Sequence, residues 1–150
     1  MTHLLLYDGV CGLCSRLVRF MIRRDRRDRF RFAPLQGQMA AELLARFGRD
    51  ASDLDTVFVV ANAGSPSAFL LDRGRAVLFV LRELGWRWAW TRPFAFLPTR
   101  ALDAVYRWVA RRRYRWFGRL EGCAAPDARF RGKFLDAGEA GGAATPPAAP

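Results

Sequence analysis

The cysteines carry the most reactive chemistry in this chain, and two of them stand three apart in "YDGVCGLCS", residues 7–15. At that spacing Cys11 and Cys14 have three uses: metal ligands, a redox dithiol, or two small packing residues. The flanking residues bear on the choice. "HLLLY" (3–7) reads as a short buried strand stopped by Asp8-Gly9. From Cys14 onward, Cys14, Leu17, Val18, Met21 and Ile22 recur at helical spacing. Cys11 then lies at a strand-to-helix turn, facing unpaired N–H groups and the positive end of the helix dipole. Both favour the thiolate, the species that attacks disulfides. Cys14, one turn further in, begins the apolar stripe. The spacing therefore predicts an exposed attacking Cys11 and a shielded resolving Cys14. Gly12 is expected to let a substrate backbone approach closely, and Leu13 to influence the reduction potential.

A zinc site is the sharper rival, but it needs four ligands. Only Cys123 and His3 remain to supply them, and His3 begins the strand. No metal and no cofactor are expected. Asp8 reads first as a turn residue. A carboxylate there would raise the Cys11 pKa, so its chemical use would be as a proton acceptor for Cys14. Cys123, in a loop before Pro126, reads as a bystander thiol or as an auxiliary resolving thiol.

The elements that hold these residues follow from pattern. "RFRFAP" (29–34) alternates into a proline and predicts a second strand, and "MAAELLARF" (39–47) a helix ended by Gly48. "TVFVVA" (56–61) is β-branched and aromatic, and "AFLL" (68–71) is its hairpin partner. "RAVLFVLRELG" (75–85) predicts a helix burying Val77, Leu78, Leu81 and Leu84. The order β-α-β-α-β-β-α is the minimal thioredoxin-like layout, here with a helical C-terminal extension. Residues 1–85 form the expected core. Residues 86–136 form an aromatic, basic extension packed on it, and 137–150 a disordered tail. Within the extension, Thr99 is expected to cap a helix to about residue 114 that buries Leu102, Val105, Tyr106 and Val109.

Hydrophobic residues at 51% exclude a disordered chain, and no apolar run reaches the ~20 residues of a membrane span. The start "MTHLLLYDG" lacks the features of a signal peptide, so a cytoplasmic location, peripheral to a membrane at most, is expected. Thiols there are normally reduced. Net charge is +11, nearly all from arginine, with Lys133 the only lysine. "WRWAWTRPF" and "RRRYRWFG" mix arginine with aromatic rings. The main expectation for them is packing on the domain, followed by peripheral contact with an anionic membrane. No nucleic-acid motif is present, and no nucleic-acid partner is expected.

"YDGVCGLC" resembles the signature of the DCC family, predicted thiol-disulfide oxidoreductases named for an Asp-Cys-Cys pattern that Asp8, Cys11 and Cys14 match. The resemblance extends through "RDRRDRFRFAPLQG", "LDTVFVV" and "LPTRALDAVYRWVARRRYRWFG" to Cys123 and about residue 136. It implies a thioredoxin-like fold and exchange of the Cys11–Cys14 pair with a disulfide-containing protein or a small thiol, with an electron donor left unnamed. There are two departures. Thioredoxins place a cis-proline before the strand facing the CxxC, whereas Asp55 stands there in this chain. Relatives tend to start the third helix with Ser-x-Ala, and Gly74 occupies the serine position. The alternative is a non-enzymatic module whose arginine/aromatic extension holds a membrane surface or an acidic partner.

Overall fold

Every residue from His3 to Tyr7 is buried, as in a strand covered on both faces. It forms one of the two inner strands of the sheet in the computed structural model, which describes residues 1–50, 56–85, 98–119 and 128–135. The elements run β1 (His3–Tyr7), α1 (Gly12–Arg24), β2 (Phe30–Pro34), α2 (Gln38–Arg46), β3 (Phe58–Ala61), β4 (Phe69–Asp72), α3 (Arg73–Glu83) and α4 (Thr99–Phe117). A short 3-10 helix follows over Ala128–Lys133.

The sheet order is β2-β1-β3-β4. β1 and β2 pair in parallel, joined by α1 as the crossover that parallel strands require. β3 runs antiparallel to both β1 and β4. Because side chains alternate along a strand, β1 feeds two cores. Leu5 and Tyr7 pack with Val18 and Met21 of α1 and Ala76 and Val80 of α3. Leu4 and Leu6 pack with Ala40 and Leu44 of α2. Helices thus cover both faces of a mixed four-stranded sheet, in the thioredoxin-like arrangement. After the 3-10 helix the chain returns to the free edge of β2, where Leu135 N donates to Phe32 O at 2.8 Å. Lys133 ties this segment to Asp25 at 3.3 Å and to Asp28 at 2.9 Å, in the turn that precedes β2.

Two helix faces differ from their hydrophobic pattern. α3 buries Gly74, Ala76 and Val80 rather than Val77, Leu78 and Leu81, because it is packed between the sheet and α4. Leu102 of α4 fills the space a side chain at Gly74 would take, its Cδ2 2.6 Å from the ideal Cβ position, which accounts for glycine there. α4 is also rotated from the expected phase. Ala110 and Arg113 are buried, while Val105 is 62% exposed. The polar atoms decide this rotation, since Tyr106 turns inward to accept the Val57 N–H at 2.8 Å. Thr99 does not cap α4 through its side chain. Its hydroxyl accepts from Arg75 at 2.8 Å instead. The aromatic stretch 86–97, the loop containing Cys123 and the tail 137–150 lie outside the described residues.

Candidate active site

The turn after β1 brings Asp8, Cys11 and Cys14 together. Cys11 is the N-cap of α1, in an extended conformation (φ −85°, ψ 119°), and Cys14 lies within the first turn. Both are free thiols. The Cys14 thiol hydrogen-bonds the Cys11 sulfur, and this contact is the largest influence holding the Cys11 pKa down at about 6. Burial opposes the shift, while the N–H groups of Cys14 and Leu13 and the charge of Arg113 reinforce it. The same hydrogen bond pushes the Cys14 pKa strongly up, helped by burial and by the negative charge on Cys11. One thiol is thus prepared as a thiolate and its neighbour holds the proton.

Beside the cysteines lies a polar cluster whose full membership the motif did not disclose. Asp8 is 1% exposed and accepts four hydrogen bonds. Its Oδ1 receives Val10 N–H at 3.1 Å and Gln36 Nε2 at 2.8 Å. Its Oδ2 receives Arg113 Nη2 at 3.1 Å and the Tyr114 hydroxyl. Gln36 also accepts Gly9 N–H at 3.2 Å, which closes the turn. Burial and the bond to Asp8 push the Tyr114 pKa to about 12, so the phenol keeps the proton it donates. Burial works against the Arg113 charge, but the hydrogen bond with Tyr114 and the attraction of Cys11 keep its pKa above the ordinary value. With both carboxylate oxygens engaged twice, Asp8 anchors Arg113, Tyr114, Gln36 and the turn itself. Gln36 lies in "PLQG", and Arg113 and Tyr114 lie in "RRRYRWFG". Continuing the helical phase of Leu102 and Tyr106 leads to Ala110 and Arg113, which singles out one arginine in the run of three.

Cys11 is not the exposed residue its position suggested; its exposure is 0%. The end of α4 covers it. Cys11 and Arg119 form an isolated antiparallel bridge, and Gly12 N donates to Gly118 O at 3.3 Å. An ideal Cβ on Gly12 would lie 2.3 Å from Phe117 O. The close backbone approach that Gly12 permits is therefore made by the chain itself. Arg16 over the Phe117 ring (5.6 Å) and Arg119 over the Tyr114 ring (5.8 Å) hold the strap from its two sides. Gly12→Ala should displace Gly118–Arg119 and speed alkylation of Cys11 severalfold, at a stability cost of ~1–3 kcal/mol. Iodoacetamide kinetics and urea denaturation check both effects; unchanged labelling would mean that the strap does not limit access.

The fold and the reactive turn define a thioredoxin-like protein with a CxxC at its first strand-to-helix junction. The family model for "DCC1-like thiol-disulfide oxidoreductase" matches residues 5–119, and the chain belongs to that family. The chain is 33% identical over 133 residues to "Uncharacterized protein YuxK" of Bacillus subtilis (strain 168), covering 89% of this chain and 93% of that protein. It is 34% identical over 121 residues to "DCC family protein At1g52590, chloroplastic" of Arabidopsis thaliana, covering 80% and 67% respectively. No solved structure matches. The matched residues 5–119 include Asp8, Cys11, Cys14, Gln36, Arg113 and Tyr114 and extend to the end of the strap.

Proposed function

We propose that the protein catalyses thiol–disulfide exchange with Cys11 as nucleophile and Cys14 as resolving thiol. The opposite pKa shifts within one hydrogen-bonded pair at the α1 N-terminus carry this reading. The Cys11 thiolate attacks one sulfur of a substrate disulfide. The substrate S–S bond breaks, a mixed disulfide forms, and the first substrate sulfur departs as a thiolate. Cys14 then gives up its proton, which neutralises departing thiolate, and attacks the Cys11 sulfur. The second substrate thiol is released and the Cys11–Cys14 disulfide closes, so the substrate gains two electrons and the protein loses them. An external dithiol returns the protein to its reduced form. With a disulfide-accepting partner the same steps run in reverse.

The role of Arg113 in this scheme is electrostatic positioning. Its charge favours the thiolate, and Asp8 and Tyr114 hold it in place. Stabilising the thiolate stabilises the reduced protein and raises the reduction potential. With a Cys11 pKa near 6, below the thioredoxin value of ~7, the couple should lie between about −270 and −120 mV. Redox equilibration against glutathione, read by thiol trapping, measures it. A potential below the thioredoxin value would contradict the thiolate-centred mechanism.

A further inference from the structure

We propose that the outward face of α4 is a peripheral docking surface for an anionic lipid bilayer. This inference stands independently of the chemistry at Cys11. Val105, Trp108, Arg112 and Trp116 follow one another at spacings of three, four and four residues, so they form one stripe along the helix. Val105 is 62% exposed, Trp108 46% and Trp116 50%, although the opposite side of the helix is packed on the protein. The two indole rings meet edge to face at 5.3 Å, and the Arg112 guanidinium lies 4.6 Å above Trp108. Exposed Arg107, Arg111 and Arg115 run along one side of the stripe, and Asp103 is the only acidic residue in α4.

An apolar, tryptophan-bearing stripe bordered by arginine is the pattern of a helix lying in a bilayer interface. There the indole rings settle at the headgroup level while the guanidinium groups meet lipid phosphates. No helix among the described residues is long and apolar enough to cross a membrane, so this contact is along a surface. α1 carries an arginine cluster of its own. Arg16 lies over Phe117 at the end of α4, and Arg16, Arg19, Arg23 and Arg24 line a shallow depression with Phe20 on α1. A second copy fits this face poorly, since an isologous contact would set one arginine flank against another. A single-stranded nucleic acid would call for a charged groove with open ring faces. Here the stripe is convex, with an aliphatic residue at one end and an arginine already on the Trp108 ring.

The test is flotation of the full chain with phosphatidylcholine vesicles, with and without phosphatidylglycerol. The chain should partition onto the anionic vesicles only, less so as salt rises. Trp108→Ser and Trp116→Ser should each lower that partition about tenfold or more, with unchanged circular dichroism. If either serine variant misfolds, Arg111→Gln/Arg115→Gln supplies the second measurement, again with a several-fold loss expected. Failure to bind, equal binding to neutral vesicles, or full binding by the serine variants would overturn the proposal. So would a dimer in sedimentation, or tighter binding to polyglutamate or an oligonucleotide, that is lost with the same two tryptophans.

Discussion

A Cys14→Ser variant will accumulate a mixed disulfide at Cys11 when given a small disulfide, whereas Cys11→Ser will trap nothing. Cys11→Ser should also lose exchange activity by about three orders of magnitude or more, because among the described residues no other prepared thiolate replaces the first attack. The trapped adduct follows from what Cys14→Ser leaves behind: the attacking sulfur survives, but the thiol hydrogen-bonded to it, which would release the adduct, is gone. Intact-protein mass spectrometry reads both results. The pH dependence has a definite sign. The pKa of Cys11 in the folded protein is depressed to about 6 from an ordinary value of 9. Its thiolate therefore contributes full stability to the reduced protein above the ordinary value and loses it as pH falls through about 6. Iodoacetamide labelling should rise through the same region and then level off. Cys14→Ala, which removes the strongest hydrogen bond to Cys11, should move that midpoint upward. If Cys14 labels first, or if Cys11→Ser still turns over a disulfide, the assignment of roles is wrong.

Local pattern carried the sheet and the reactive turn because both depend on neighbouring residues. The run from His3 to Tyr7 is a buried strand, and the Asp8-Gly9 turn and the α1 stripe set Cys11 and Cys14 at a helix start as their spacing required. What the pattern missed depends on distant residues. Hydropathy placed Val105 inside α4 and gave Arg113 no special part. The energies reverse this, because Arg113 and Tyr114 find a buried carboxylate 105 and 106 residues away in sequence. Leaving polar groups of that kind buried without a partner costs more than exposing one valine. The burial of Cys11 was illegible for a similar reason. Nothing around the motif signals that Gly118 and Arg119 return to pair with it. Gly12 does leave room for a close backbone approach, but the chain's own backbone at Phe117–Gly118 fills it.

Asp8→Ala should be the most destabilising single substitution in the site, at about 3–5 kcal/mol. The residue lost is a 1% exposed carboxylate paired with a 2% exposed arginine. The methyl group that replaces it leaves the Arg113 charge buried without its carboxylate, and Tyr114 and Gln36 lose an acceptor as well. Arg113→Met should be costly for the complementary reason, since it strands Asp8. The double variant Asp8→Leu/Arg113→Met removes both charges, and it should recover much of the loss, as apolar replacements of buried ion pairs often do. Urea denaturation of the two singles and the double completes the cycle. The double variant also separates stability from chemistry. Although folded, it lacks both the Arg113 charge that lowers the Cys11 pKa and the Asp8 charge that opposes it. Because the arginine is the stronger influence on Cys11, the variant's labelling midpoint should lie above that of the unaltered protein. A cost below about 1 kcal/mol for Asp8→Ala would place the pair among weak, solvent-screened contacts. An unshifted midpoint in the folded double variant would mean that the two charges cancel at Cys11, and an unshifted midpoint in Arg113→Met, which keeps Asp8, would remove Arg113 from the set of groups that prepare the thiolate.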